Sequence, residues 1–362
     1  MKILHCVANM AGGGAERQVG ILARAQVDSG DDVHVALVSG GPNLPGLEEA
    51  GARLHWIPAR SYYDPRILWN LRQTIRAIRP QIVQSWLLQM DVAAGLAALW
   101  CGSPWVLCER VSGEFYRGWA KGWLRLHLGK LAAAIVANSR AGAEYWHARY
   151  GSRVRTVVIP NAVPFESISR APIPSQGACG QDQPFILFAG RLVSQKNPLV
   201  MIEAITQVLR GIDGCAVICG DGPQASSLQR FVQQCGMTDR VRFVGYRADL
   251  WSLMKSAAVF VSVSLFEGHP NAVLEAMACR CPLVVSDIPE HREFLDEQSA
   301  WLPSPTSLKG IVASITEAIR DQALAVKKTA AAWNIVQRYT PARCAEQYRE
   351  VYREVVRSDL EP

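Results

Sequence analysis

Hydrophobic positions along the chain follow two alternating patterns. Short apolar runs such as Lys2 to Val7 and Val33 to Val38 are bounded by Gly, Pro or Asp, and the longer segments between them repeat apolar residues at helical spacing. The segment 15–29, for example, places four apolar residues on one helical face: Val19, Leu22, Ala23 and Val27. Strands that alternate with amphipathic helices are typical of parallel sheets built from repeated strand and helix units.

The alternation is interrupted once, between Pro164 and Pro184, where Pro, Ser, Gly and Gln are frequent as in an exposed linker. The strands predicted before this break are Gln81 to Gln84, Trp105 to Cys108, Ala132 to Ala137 and Val154 to Ile159. Those predicted after it are Phe185 to Ala189, Ala216 to Cys219, Val241 to Val244, Val259 to Val263 and Leu283 to Val285.

The sequence therefore predicts an α/β protein with two doubly wound, Rossmann-like domains that face each other across a cleft. We expect the first domain over residues 1–163, a linker over 164–184 and the second domain over 185–340. Residues 341–362 are helical in pattern, with no strand after them, and we expect this helix to pack back on the first domain.

The composition excludes several classes of protein. The chain has 362 residues, of which 49% are hydrophobic and 19% charged, unlike a disordered, collagen-like or coiled-coil protein. Its ten cysteines match neither a zinc ribbon nor the dense framework of a small secreted domain, so we expect reduced, mostly buried thiols. The N-terminus lacks the pattern of a secretory signal, and no apolar run approaches the roughly 18 residues that span a bilayer.

The net charge of +6 suits anionic partners in general. The basic residues are not gathered into one stripe, and no recognised nucleic-acid module is present, so we expect no nucleic-acid partner.

In an open parallel sheet, ligands bind beyond the carboxyl ends of the strands, so the loops that follow strands are the first candidates for a site. The first such loop contains Gly12, Gly13 and Gly14, whose missing side chains let a phosphate approach the backbone and the N-terminus of the next helix. The alternative is a tight turn with no ligand. The sequence GGGAER lacks the GxGxxG spacing, which argues against NAD.

The second loop follows the strand FILFA and contains Arg191 and Lys196. Asn197 suits a helix N-cap and Pro198 the first helical position, so both cations precede a positive helix end and favour an anion. The alternative is a pair of solvated loop charges.

The third loop, FEGHPNAVLEA, contains Glu267 and Glu275 with seven residues between them. With a helix that starts near Ala272, Glu267 lies in the loop and Glu275 about one turn inside the helix, where a buried carboxylate can accept hydrogen bonds from ribose or sugar hydroxyls. For Glu275 the alternative is a surface carboxylate, and for His269 a loop position with no ligand.

Two further turns, Gly220-Asp221-Gly222-Pro223 and Gly245-Tyr246, follow strands of the second domain and could approach a flat base. Glycine turns after strands are routine, which favours turns without a ligand here.

Taken in order, GGGAER, GRLVSQK, GDGP, VRFVGY and EGHPNAVLEA resemble the family-4 retaining glycosyltransferases (group 1 glycosyl transferases) of the GT-B fold, over nearly the whole chain. The resemblance implies that the first domain binds the acceptor and the second a nucleotide diphosphate sugar, with no obligatory cofactor or metal. UDP is the first choice of nucleotide and GDP the second. No Asp-x-Asp element for a metal ion is present.

The resemblance also implies a role for each matching residue. The residues expected to act in catalysis, by holding the diphosphate and the sugar, are Arg191, Lys196 and Glu267. Those expected to bind the donor are Gly13, Gly14, Gly220, Gly222, Gly245, Tyr246, Gly268, His269, Pro270, Asn271, Ala272 and Glu275.

The chain departs from the family's pattern after the strand WVLCE. Many members carry a histidine where this chain has Glu109 and Arg110. We expect Arg110 to contact the donor sugar or phosphate, with Glu109 and Glu16 as further candidates for contact with sugar or acceptor.

The segment FYRGWAKGWLRLHLGKL mixes basic and apolar side chains in a way that suits the headgroup layer of an anionic membrane. The residues concerned are Arg117, Trp119, Lys121, Trp123, Arg125, Leu126 and Lys130. The alternative is an ordinary, partly buried helix beside the acceptor cleft.

The resemblance implies transfer of a hexose or N-acetylhexosamine to a lipid-linked or oligosaccharide acceptor during bacterial surface polysaccharide synthesis (lipopolysaccharide, O-antigen, capsule or exopolysaccharide). We expect a cytoplasmic enzyme, peripheral on the inner face of the plasma membrane. The alternatives are a sugar-nucleotide epimerase on the same scaffold and a non-catalytic nucleotide-sugar sensor.

Overall fold

The computed structural model describes residues 1–110, 120–173 and 183–360. Contacts between residues divide the chain into two compact units, one formed by Met1–Ala162 with Tyr339–Pro362 and the other by Val163–Arg338. The divisions fall one or two residues from the expected domain ends at 163 and 340.

Among the described residues, the first unit contains a parallel sheet of seven strands in the order β3-β2-β1-β4-β5-β6-β7. The strands are β1 (Lys2–Asn9), β2 (Asp32–Ser39), β3 (Arg53–Trp56), β4 (Ile82–Trp86), β5 (Trp105–Glu109), β6 (Ala134–Ala137) and β7 (Thr156–Val158). The side chains of β4, β5 and β6 are all buried, because helices cover both faces of the sheet.

The helices of this unit form a layer on each face. They are α1 (Gly14–Asp28), α2 (Leu44–Glu49), α3 (Arg66–Ile78), α4 (Leu87–Cys101), α5 (Ala120–Gly129) and α6 (Arg140–Tyr150), with the C-terminal helix Pro341–Leu360. Apolar residues of α1 and the C-terminal helix share one core cluster, whereas those of α3 and α4 belong to the cluster on the opposite face.

The C-terminal helix packs on the first sheet. Tyr348 and Tyr352 are fully buried. The Tyr352 hydroxyl donates to the side-chain carbonyl of Gln84 in β4, and Arg349 pairs with Asp31 at 2.9 Å. This helix therefore belongs to the first unit, although the chain reaches it only after completing the second.

The second unit contains a parallel sheet of five strands among the described residues, in the order β10-β9-β8-β11-β12. The strands are β8 (Phe185–Ala189), β9 (Cys215–Cys219), β10 (Val241–Gly245), β11 (Val259–Ser262) and β12 (Leu283–Val285). The helices are α7 (Phe165–Arg170), α8 (Pro198–Gly211), α9 (Ala225–Gln234), α10 (Leu250–Ser256), α11 (Asn271–Ala278), α12 (Pro289–Arg292), α13 (Leu308–Arg320) and α14 (Gln322–Val336), and the C-terminal helix is α15.

The segment expected to be a linker is partly structured. Residues Phe165–Arg170 form α7, in which Ile168 is buried and the Phe165 ring packs edge-on against Trp333, with ring centroids 5.8 Å apart. A single helical turn has little periodicity of its own, so this contact with α14 decides its structure.

The turns after β8 and β9 pack backbone against backbone. A Cβ atom at Gly220 would lie 2.0 Å from the Gly190 carbonyl oxygen, and one at Gly222 would lie 2.5 Å from that of Leu192. Gly220 also has a φ of +127°, which side chains rarely adopt. Both glycines are therefore required by packing within the second unit.

Among the described cysteines, the expectation of a reduced thiol is wrong at Cys215, which is disulfide-bonded. Eight other cysteines among the described residues are free thiols, and six of these are buried. In the part of the chain that the structure describes, no helix combines the length and the apolar character needed to cross a membrane.

A buried ion-pair network joins α4, α5 and the end of β5. The Arg125 guanidinium donates to Asp91 and to Glu109, each at 2.6 Å, and the Trp146 indole donates to Glu109 at 2.9 Å. Burial raises the pKa of Asp91 to about 6, although Arg125 acts in the opposite direction.

Arg125 is only 2% exposed, so its expected contact with a membrane surface is wrong. The two buried carboxylates hold its charge inside the unit.

We predict that Arg125→Met lowers the free energy of unfolding by about 3–5 kcal/mol, because it leaves two buried carboxylates without their cation. The matched control is Lys130→Met, which removes an exposed cation just beyond the same helix and should change stability by less than about 0.5 kcal/mol. Urea denaturation of both variants measures the difference. Equal stability of the two would contradict the structural role of Arg125.

Candidate functional site

Charged side chains of the second unit collect at the carboxyl edge of its sheet. In the order β10-β9-β8-β11-β12, the chain runs outward from β8 to β9 and β10, and then returns to the other side of β8 to form β11. The order therefore reverses between β8 and β11, the place where open parallel sheets bind their ligands. Lys196 follows β8 and Glu267 follows β11, so the two reach the same point of the edge.

Lys196 and Glu267 form a salt bridge at this point, with the Lys196 ammonium on Glu267 Oε1. The Ser264 hydroxyl donates to the same oxygen at 2.6 Å. Burial by itself raises the pKa of Glu267, but the charge and hydrogen bond of Lys196, together with the Ser264 hydroxyl, outweigh it and hold the pKa below its ordinary value. Glu267 is therefore a buried carboxylate that stays ionised.

Hydrogen bonds join the loop after β8, which carries Lys196, to the loop after β11, which carries Glu267. The Leu265 amide donates to the Gln195 carbonyl at 2.9 Å, and the Gln195 side chain donates to the Phe266 carbonyl at 3.0 Å. The Ser286 hydroxyl, just after β12, donates to the Ser264 carbonyl at 2.6 Å. The loop that carries Glu267 is thus held from both sides.

Arg191 lies in the same loop as Lys196 but differs from it in exposure. Its side chain is exposed, and within the described ranges it makes no hydrogen bond or ion pair. Asn197 precedes α8 as expected, and Pro198 opens that helix. The Asn197 side chain does not cap the helix: the residue is left-handed, with φ +50°, and its amide donates to the Pro305 carbonyl at 2.9 Å.

Glu275 lies one turn inside α11, as the sequence predicts. It is 2% exposed, and its Oε2 accepts a hydrogen bond from the Trp251 indole in α10 at 3.0 Å. The alternative of a surface carboxylate is therefore wrong. The loop before the helix is also buried at Gly268, His269 and Pro270, whereas Asn271 and Ala272 are half-buried.

Two buried residues beside Glu267 had no role in the sequence analysis. His291 Nδ1 donates to the Ser286 carbonyl at 2.7 Å, and burial lowers the pKa of its imidazole. Burial raises the pKa of Glu290, whose carboxylate also accepts a hydrogen bond from the backbone of Glu267. The signal that could have found this group is the polar run SDIPEH directly after the apolar strand Leu283–Val285.

The turn after β10 presents Tyr246 at the surface, where its side chain is exposed. Gly245 has a φ of +64°, and its carbonyl accepts the Gly220 amide at 2.7 Å. This hydrogen bond joins the turn after β10 to the turn after β9.

The candidates in the first unit lie at the carboxyl edge of its own sheet. Gly13 is the N-cap of α1, and Gly14 is the first residue of that helix. A Cβ atom at Gly13 would lie 2.3 Å from a carboxylate oxygen of Glu16, which is buried. The Glu16 side chain folds over Gly13, so a side chain at position 13 would displace the Glu16 carboxylate.

Arg110 is buried at the end of β5 and held by side chains of its own unit. Its guanidinium donates to Asn161 at 2.9 Å and to the Tyr348 hydroxyl at 2.8 Å, and it lies 4.2 Å from the centroid of the Trp86 ring. Its Nε is buried and, among the described residues, has no hydrogen-bond partner.

The neighbouring Glu109 does not face a sugar or acceptor as expected. It is fully buried, and its carboxylate binds Arg125 and Trp146, because the buried guanidinium of Arg125 requires an anionic partner.

The basic, aromatic segment falls partly outside the described residues, which exclude Arg117 and Trp119 and the side chain of Lys121. Trp123 is 62% exposed, whereas Leu126 is half-buried. Across the described ranges, no group of three or more His, Cys, Asp or Glu side chains is placed to hold a metal ion.

Two family models match the chain one after the other. The model described as Glycosyltransferase Family 4 matches residues 12–167, and the model described as Glycosyl transferases group 1 matches residues 169–334. The boundary between them lies close to the division between the two compact units.

Relatives and solved structures agree with this match. The UDP-Gal:α-D-GlcNAc-diphosphoundecaprenol α-1,3-galactosyltransferase of Escherichia coli is 23% identical over 350 residues, which cover 90% of this chain and 89% of that protein. The N-acetylgalactosamine-N,N'-diacetylbacillosaminyl-diphospho-undecaprenol 4-α-N-acetylgalactosaminyltransferase of Campylobacter jejuni is 26% identical over 157 residues, which cover 43% of this chain and 42% of that protein.

The crystal structure of Anabaena HepE in complex with UDP-glucose superposes with a TM-score of 0.86 at 21% identity, covering 98% of this chain and 100% of that one. Both halves of the chain therefore match glycosyltransferase models, and both sheets have the Rossmann-like topology. The chain belongs to the family-4, group 1 glycosyltransferases of the GT-B fold.

Proposed function

We propose that the protein is a retaining glycosyltransferase that moves a hexose or N-acetylhexosamine from UDP to a lipid-linked sugar acceptor. The observation that carries the proposal is the Lys196–Glu267 pair at the strand-order reversal, with the exposed Arg191 in the same loop. Two cations and an ionised carboxylate at a ligand-binding edge suit a sugar diphosphate, which offers negative charge and hydroxyls together.

The two cations address the main energetic problem of the reaction, which is the charge that develops on the departing diphosphate. A unit charge pair about 4 Å apart is worth roughly 4 kcal/mol at an effective dielectric of 20. Arg191 and Lys196 supply such charges, and α8 begins just after them with its positive end. Cations placed at this edge can stabilise the leaving group without a metal ion.

Glu267 orients Lys196 and binds the sugar. Its Oε1 carries both the Lys196 and the Ser264 contacts, so its Oε2 is placed to accept a sugar hydroxyl. The attacking hydroxyl approaches from the leaving-group side, and the departing phosphate oxygen accepts its proton. This route retains the anomeric configuration and needs no protein nucleophile.

Glu275 binds the ribose of the donor. The carboxylate is buried, which strengthens its hydrogen bonds, and the Trp251 indole fixes its orientation. Tyr246 and the glycine turns around it lie at the same edge of the sheet, where we place the base.

UDP is favoured over GDP, because HepE was crystallised with UDP-glucose and the E. coli relative is named for UDP-Gal. The E. coli and C. jejuni relatives both have diphosphoundecaprenol-linked sugars in their names. We therefore place this chain's acceptor among lipid-linked sugars of bacterial surface polysaccharide synthesis, at the inner face of the plasma membrane, and assign its recognition to the first unit and Arg110.

We predict that Arg191→Met lowers kcat/KM about 10²- to 10³-fold, by removing a cation that stabilises the leaving diphosphate. Because Arg191 is exposed, the melting temperature should not change. The matched control is Arg230→Met, an exposed arginine of α9, which should keep the parent's rate. UDP release in the presence of a lipid-linked sugar measures the effect. Parent-like turnover would remove Arg191 from the mechanism, and release of free or epimerised sugar without acceptor would favour an epimerase.

We predict that Lys196→Met gives a loss of stability that grows with pH. In the parent, Glu267 has a lowered pKa, so the pair stabilises the fold above the ordinary pKa of Glu and loses this contribution as pH falls through the lowered value. In the variant, burial without the lysine raises the pKa of Glu267. The ionised carboxylate therefore destabilises the folded state above about pH 4.5.

The deficit in unfolding free energy should be about 3 kcal/mol at pH 7 and much smaller near pH 4, as measured by urea denaturation across this range. Arg191→Met is the control and should show no such trend. A deficit that does not vary with pH would show that Glu267 is not the group responsible.

We predict that Glu275→Gln weakens UDP binding about 10- to 100-fold, because a charged acceptor for the ribose hydroxyls is lost. Glu317→Gln is a matched control: Glu317 also accepts a tryptophan indole, that of Trp301 at 2.6 Å, but lies in α13. Isothermal titration with UDP compares the two variants. Equal affinities would place the ribose elsewhere.

A further inference from the structure

An exposed pair of tryptophans lies on the outer surface of the first unit. Trp69 in α3 is 49% exposed and Trp100 at the end of α4 is 56% exposed, and their ring centroids are 6.0 Å apart in an edge-on arrangement. Leu99 beside them is also exposed. Two adjacent indoles and a leucine in contact with water form an apolar patch of the kind that marks an interaction surface.

An arginine is held between the two indoles. The Arg72 guanidinium carbon lies 5.0 Å from the centroid of the Trp69 ring and 4.3 Å from that of Trp100. In the described part of the chain no carboxylate pairs with Arg72, and its buried Nε has no hydrogen-bond partner. The Cys101 thiol donates to the Arg72 carbonyl at 3.7 Å, which ties the end of α4 to α3. The cation is thus pre-oriented but not neutralised.

The rest of α3 adds to this positive charge. Residues Arg66–Ile78 include three arginines and neither Asp nor Glu, and Arg79 follows the helix. The structure pairs Arg66 with Asp64, whereas Arg76 and Arg79 are exposed without an ion-pair partner among the described residues. The opposite face of the helix is apolar and buried in the core. The outer face of α3 is therefore basic and aromatic.

We propose that the α3–α4 surface, formed by Trp69, Arg72, Arg76, Leu99 and Trp100, docks the protein on an anionic lipid bilayer. Indole rings favour the headgroup level of a bilayer, because one edge is apolar and the N–H is polar. Arginines bind lipid phosphates by charge-assisted hydrogen bonds, and the lack of carboxylates on α3 matches a negative surface.

The inference rests on the proposed function, since it names the surface that brings a lipid-linked acceptor within reach. It also differs from the expectation based on residues 117–125, because Arg125 of that segment is committed to a buried ion pair.

The experiment is flotation of the full-length protein with two kinds of vesicle, one of phosphatidylcholine alone and one with about one third phosphatidylglycerol. We expect the parent to float with the anionic vesicles and to stay in solution with the neutral ones. We expect Trp69→Ser with Trp100→Ser, and separately Arg72→Gln with Arg76→Gln, to lower the bound fraction about tenfold.

Matched controls come from the same unit. Trp56→Ser removes an exposed tryptophan of β3, and Arg24→Gln removes an exposed arginine of α1, the helix on the other face of the sheet. Both should float as the parent does. Thermal melting and UDP titration of every variant show whether it is folded, and only folded variants are compared.

The outcomes separate the two claims. A parent that binds UDP but ignores anionic vesicles, or that binds neutral vesicles equally well, overturns the docking surface and leaves the proposed function standing. A parent that floats but neither binds UDP nor transfers sugar overturns the proposed function. A parent that is a dimer, fails to float, and becomes monomeric on loss of the tryptophans shows that the surface is a contact between copies of this chain.

Discussion

The candidate site depends on one ion pair between two neighbouring strands. Lys196 and Glu267 lie 71 positions apart in the chain, and they meet because β8 and β11 are adjacent where the strand order of the second sheet reverses. Burying either charge alone would destabilise the fold, and the opposite charge of its partner offsets this desolvation penalty. Hydrogen bonds between the loops of Gln195 and Ser264 keep the pair at the edge where open parallel sheets bind their ligands, so both charged groups are held in place by the fold.

The first unit uses buried charge in a different way. Arg125 is satisfied by Asp91 and Glu109 and holds α5 to the sheet, whereas Arg110 is bound by the neutral groups of Asn161 and Tyr348. Among the described residues no carboxylate pairs with the Arg110 guanidinium, and a guanidinium in such surroundings attracts anions. Glu109 and Arg110, which stand where many family members carry a histidine, therefore have different partners: Glu109 binds Arg125 and Trp146, and Arg110 binds Asn161 and Tyr348.

Most of the architecture was predictable because parallel sheets give a strong local signal. Buried strands such as Phe185–Ala189 are continuous apolar runs, and the helices between them carry clear apolar faces. The elements that sequence reasoning missed are short or half-exposed, such as β3 and α7, because four to six residues establish no period. The position of Glu290 and His291 beside Glu267 was missed for the related reason that neither belongs to a motif and both come close to Glu267 only when β12 lies beside β11.

The sequence by itself determined the family, the two-sheet architecture and the identity of the charged residues at the carboxyl ends of the strands, because these depend on local periodicity and on motif order along the chain. Only the tertiary structure decided which charges are satisfied. Arg125 and Arg72 are both arginines on amphipathic helices, yet one is enclosed by two carboxylates and the other lies between two exposed indoles. The free energy of a charge depends on the groups that folding places around it, and helical spacing alone does not record them.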